Sequence, residues 1–152
     1  MNLNFEPMKE KDIKITQRNR IIVGISIISG IALIHIFRVG SYLKGDLYLL
    51  YYSYVSDLII PFGIYFLLCI NELYIKTLRK WYIKATIILG FTTLVEILQL
   101  LGIYALGITF DPVDILMYAL GVGIAVIFDR LLFKRLIPFW DLEKLNEKIE
   151  KK

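Results

Sequence analysis

The sequence predicts an all-α fold: an integral membrane bundle of four transmembrane helices, with both termini cytoplasmic. Three observations lead there. Hydrophobic residues make up 57% of the 152 and mean hydropathy is +0.63, above the roughly 45–50% apolar content of soluble domains. The apolar residues fall in four long blocks, as lipid-crossing helices require. Lys and Arg are unevenly shared between the connecting stretches, which is how insertion sets orientation.

The first block, "IIVGISIISGIALIHIF", covers residues 21–37 between Arg20 and Arg38. About 20 mostly polar residues precede it and no A-x-A site follows, so it reads as a retained span rather than a signal peptide. The second covers residues 47–70 with Asp57 as its only charge, the third 81–103 and the fourth 113–133. Each suffices to cross a hydrocarbon core of about 30 Å at about 1.5 Å per residue. Trp81, Tyr82, Tyr48, Tyr51, Tyr52 and Tyr104 sit near span ends, where aromatic belts lie.

Of the 18 Lys and Arg, only Arg38 and Lys44 fall in the first connection and none in the third. The remaining sixteen lie in the two tails and the second connection, which places those on the cytoplasmic side. The net charge of +4 is then an insertion signal and a contact for anionic lipid, and nucleic acid is not expected as a partner. Residues 1–20 form a basic cytoplasmic tail, 21–137 the membrane domain and 138–152 a charged tail. In that tail Leu142, Leu145 and Ile149 recur at helical spacing beside Phe139 and Trp140. Two readings stay open there: a helix along the membrane surface, or a frayed, solvated end.

The single cysteine, Cys69, excludes an internal disulfide and a cysteine-based metal cluster. No phosphate-loop, zinc-protease or nucleophile-elbow motif is present, and the sequence leaves the cofactor unknown.

The informative residues are polar ones set in apolar surroundings. Glu96 lies 15 residues into the third span, about 22 Å at about 1.5 Å per residue. Thr92 and Gln99 share its face. Asp57 has a similar outer depth on the second span, and Pro61 one turn on cannot donate to its carbonyl. Asp111 and Asp114 open the fourth span with Tyr118 one turn in, and the first ends with His35 and Arg38. Charge in a membrane is costly, so these groups are expected to face one wet pocket inside the bundle. Glu96 and Gln99 should face the start of the fourth helix, within reach of Asp114 or Tyr118. Asp57 should approach the same spot, its charge partly offset by Arg38.

Simpler readings stand beside this one. Asp111-Pro112 is a helix start by itself, and Asp114 suits its dipole. Glu96 and Gln99 can act as interhelical hydrogen-bonding glue. Asp57 can simply pair with Arg38, and His35 can be a hydrogen-bonded interface residue. Gly121, Ala125, Ala119 and Gly123 fit close helix packing. Asp129 beside Arg130 reads as a surface ion pair at the inner boundary, where Glu72 also lies.

The stretch "VEILQ", an outer loop, then "TFDPVDILMYALGVGIA" resembles the VanZ-like family of small bacterial membrane proteins. The matching positions are Glu96, Gln99, Asp111, Asp114 and Gly121. The family's loop Arg is missing: this loop has Gly107 and Thr109, and Tyr118 stands at the family's Asn position. The resemblance implies a VanZ-like domain over residues 21–137 and an envelope or glycopeptide-resistance role. An acidic pocket without the Arg favours a cationic or hydrogen-bonding ligand, such as a group of an envelope lipid or a glycopeptide. Two further functions fit the residues. One is an intramembrane enzyme on a lipid-linked substrate, using the carboxylates as acid and base or holding a divalent cation with His35. The other is a small transporter, doubled as a homo-oligomer through the Ala119/Gly123 and Gly121/Ala125 faces.

Overall fold

The computed structural model describes residues 10–103, 110–142, 144 and 145. Among them the chain is helical and has no strand. Four helices are long and apolar enough to cross a membrane: α1 (Glu10–Ile36), α2 (Asp46–Leu73), α3 (Trp81–Leu100) and α4 (Pro112–Leu136). The expected Tyr104, Gly107, Thr109 and Ile149 features lie outside the described residues.

Boundaries differ from hydropathy where local chemistry decides. Helix α1 is already helical at Glu10, the first described residue, well before residue 21. Thr16 and Arg20, assigned to the tail, are buried against the bundle. Helix α3 stops at Leu100 rather than at residue 103. Gly102 takes φ 74°, its N–H donates to Gln99 O at 2.9 Å, and Ile103 N–H donates to Leu98 O at 2.9 Å. That pair of bonds closes the last turn, and glycine supplies the left-handed residue it needs. Helix α4 starts as its residues dictate: Asp111 Oδ1 accepts from Val113 N–H at 2.8 Å, with Pro112 in the first turn.

Helix α2 is central, packed most extensively on α4 and next on α1, while α3 lies mainly against α4. Small residues permit this. A Cβ at Gly121 would overlap the Leu58 carbonyl, and one at Gly63 would press on Ile28 and Ile31. Gly121 and Ala125 are therefore used inside the bundle and are not free for self-association. Gly123 is exposed with open space before it.

Asp12 and Thr16 line one cavity with Phe139 and Leu145, so both ends of the described chain meet at one end of the bundle. We call this the terminal end and the opposite one the distal end. The core of Tyr65, Phe66, Cys69, Ile88, Val122, Ala125 and Trp140 fills the terminal half. Trp140 is fully buried, so the tail neither lies flat on a surface nor frays at this point. Around the bundle, Ile25, Leu33, Leu94, Ile97, Leu116 and Leu120 face outward. So broad an apolar exterior fits lipid and not water. The chain is built as a multi-pass membrane protein. Trp81 and Tyr82 are exposed near one rim, Tyr42, Tyr48 and Tyr52 near the other.

Two stretches widen into π-helical turns, Tyr51–Val55 in α2 and Phe128–Phe133 in α4. Such turns re-aim the side chains that follow and recur at functional sites. The first directly precedes Asp57; the second carries Asp129 inward.

Candidate functional site

The polar residues gather in two layers, one at each end. In the distal layer Glu96 is 1% exposed. It lies on the buried α3 stripe of Lys84, Ile88, Thr92 and Glu96, four residues apart. Tyr118 of α4 donates its hydroxyl to Glu96 Oε1 at 2.8 Å, and Asp111 N–H makes a long 3.5 Å contact to Oε2. The α4 amino terminus and one turn beyond it thus satisfy a carboxylate that lipid cannot.

Asp57 and Asp114 lie close enough to each other, to Glu96 and to Asp111 for their charges to repel. Of these four, Asp57 alone lines a groove of about 180 Å³, whose other polar lining is Thr92, Gln99 and Tyr118. Its floor includes Pro61, which lacks the N–H that the Asp57 carbonyl would otherwise receive. Ile60 of α2 and Phe91 of α3 line it too and are exposed to the exterior. The groove therefore opens sideways between α2 and α3, toward the acyl region of a bilayer.

Six of the eight sequence-derived positions come together in the distal layer: Asp57, Gln99 and Tyr118 line the groove, and Glu96, Asp111 and Asp114 lie beside it. The other two do not. His35 and Arg38 are exposed at the end of α1, and neither lines the groove. Arg38 has φ 46°, and among the described residues no ion pair joins it to Asp57. Helix α1 packs on the far side of α2 from this groove, so its end cannot deliver a cation there. The same placement removes His35 as a ligand partner for these carboxylates.

The terminal layer is the part that sequence reading missed. Arg20, Glu72, Lys84 and Asp129 are 0–4% exposed. Arg20 Nη2 donates to Glu72 Oε2 at 2.8 Å and to Trp140 O at 3.2 Å. Its Cζ lies 4.6 Å from the Trp140 ring centroid. Lys84 Nζ donates to Glu72 Oε1, to Asp129 Oδ2 at 3.3 Å and to Cys69 Sγ at 3.2 Å. Asp129 accepts further from Tyr65 Oη and Trp140 Nε1, each at 2.8 Å. Asp129 is thus no surface partner of Arg130, and Glu72 is a hub. Two cations and two anions balance, as buried charge requires. Cys69, Glu72 and Asp129 hold their donor atoms within 4.8 Å of one another. The Lys84 ammonium contacts all three and takes the place a metal ion would need.

No family model, curated protein or solved structure matches the chain.

Proposed function

We propose that this chain is a VanZ-like protein of the cell membrane, with both termini cytoplasmic. Its distal groove holds a cationic or hydrogen-bonding group of an envelope component or a glycopeptide antibiotic. The observation that carries this reading is Asp57, Gln99 and Tyr118 lining a cavity open to the lipid side, with Glu96 held by Tyr118 beside it. Four carboxyl groups crowd in this layer, Asp57 at the groove and Glu96, Asp111 and Asp114 beside it, and none makes an ion pair among the described residues. A cation entering the groove would relieve their repulsion. At about 180 Å³, below the roughly 300–1,000 Å³ of drug-sized pockets, it suits one ammonium-sized group rather than a whole antibiotic. The sideways mouth lets the remainder of an amphipathic ligand stay in the bilayer.

The test is glycopeptide susceptibility in a Gram-positive host expressing wild type, Glu96→Gln or Asp57→Asn, with membrane levels matched by immunoblot. Wild type should raise the inhibitory concentration, and both variants should lose most of that gain. A wild type without effect, or variants equal to it, overturns the proposal.

A further inference from the structure

A second and larger cavity, about 630 Å³, lies at the terminal end between the start of α1, the end of α4 and the tail. Its volume falls within the ligand-binding range of roughly 300–1,000 Å³. Its charges are mixed. Lys134 and Arg135 line it from the last turn of α4, Asp12 from α1 and Asp141 from the tail. Asp141 is already engaged: Lys144 Nζ lies 3.6 Å away and Lys144 N–H donates to its Oδ1 at 3.3 Å. Asp12, Lys134 and Arg135 make no hydrogen bond or ion pair among the described residues. Two unpaired cations and one unpaired anion thus share one cavity.

Depth decides what can reach it. Thr16, also in the lining, is five residues before the apolar run that starts at Ile21. At about 1.5 Å per residue this is about 7 Å outside that run, the headgroup zone of a leaflet. Ile15 lines the same cavity and is exposed, and Leu136 just beyond is 72% exposed. These apolar groups adjoin the acyl region.

We infer that this cavity is a phospholipid headgroup site, selective for a phosphate joined to a primary ammonium: phosphate on Lys134 and Arg135, ammonium on Asp12. The charges match in sign: the phosphodiester carries a negative charge, and Arg can grip it with two N–H groups while Lys134 adds a second cation. A primary ammonium donates three hydrogen bonds. A quaternary choline has none to offer Asp12, and a glycerol headgroup lacks the positive charge.

The full chain, purified in detergent, can be titrated with dioleoyl phosphatidylethanolamine, phosphatidylcholine, phosphatidylglycerol or water-soluble glycerophosphoethanolamine, with adducts read by native mass spectrometry. Phosphatidylethanolamine should bind about tenfold more tightly than either other lipid, the scale of one added charge-assisted contact. The soluble headgroup should bind far more weakly than the lipid. Lys134→Gln with Arg135→Gln should weaken phosphatidylethanolamine about tenfold or more. Asp12→Asn should bring it level with phosphatidylglycerol. Arg135 is exposed, so Arg135→Gln alone keeps the test open if the double variant unfolds; it should weaken binding severalfold. Equal binding of all three lipids, insensitivity to these variants, or soluble headgroup binding as tightly as the lipid each overturns the inference.

Discussion

Tyr118 and Glu96 meet at 2.8 Å between α4 and α3, the hydroxyl donating to Oε1. The bond joins two helices through a carboxylate that is almost fully shielded. Tyr118→Phe leaves Glu96 with only the long contact from Asp111 N–H. We expect a loss of about 1–2 kcal/mol, the range of hydrogen bonds in membranes and to charged groups. Glu96→Gln keeps an acceptor for Tyr118 and should cost less than Glu96→Leu. Reversible unfolding in mixed micelles measures both, and a Tyr118→Phe chain as stable as wild type removes the bond from the account.

Lys84 is the hinge of the terminal layer. Lys84→Met leaves Asp129 with Tyr65 and Trp140 but no cation, while Glu72 keeps Arg20. Breaking one side of a buried pair costs about 3–5 kcal/mol, chiefly by stranding the other charge. Lys84→Met should therefore be strongly destabilised. Removing the stranded charge as well, with Asp129→Asn, should recover part of the loss. Unfolding midpoints of the two single variants and the double variant decide: strictly additive losses would refute the coupling.

Gly121 and Gly123 look alike in the sequence and should behave differently. A methyl at Gly121 would overlap the Leu58 carbonyl of α2, whereas one at Gly123 meets nothing within 4 Å. Gly121→Ala must push α4 from α2, at about 1–3 kcal/mol for overpacking. Gly123→Ala should stay within about 0.5 kcal/mol of wild type, as exposed changes do. Thermal unfolding of both in one detergent compares them directly, and equal midpoints would refute the close approach.

These residues also mark what hydropathy can and cannot read. The four spans are legible because a lipid-crossing helix must be apolar over its length. Glu96, Gln99 and Asp57 are legible because each interrupts such a run. Arg20, Glu72, Lys84 and Asp129 lie where the runs end, so a buried charge there looks like a surface one. Spacing held the missing signal. Lys84 is three turns before Glu96 on one stripe, and Asp129 continues the Gly121 and Ala125 face. The Arg38–Asp57 pairing failed for another reason: shared depth does not give shared azimuth, and α1 flanks α2 away from the groove. The end of α3 was hidden because Leu101 and Ile103 stay apolar past the Gly102 turn.

Trp140 closes the terminal end, and its removal should release the tail. The indole is fully buried, donates to Asp129 at 2.8 Å and lies beneath Arg20. Phe66 and Phe133 pack on it at centroid distances of 6.1 and 5.1 Å. Its backbone carbonyl accepts from Arg20 whatever the side chain, so substitution removes packing and one hydrogen bond but keeps that anchor. Trp140→Phe retains most of the ring contact and should lose about 1.5–3 kcal/mol, as for a hydrogen bond to a charged acceptor. Trp140→Ala adds a core cavity and should lose about 3–5 kcal/mol in total. The tail after Leu136 has no other fully buried side chain among the described residues. Local opening should then exceed global unfolding. Trypsin should cut Trp140→Ala after Arg135 or Lys144 much faster than wild type, with Trp140→Phe between them, while the spans stay intact. Equal cutting rates in all three chains would mean that the tail is held by contacts other than Trp140.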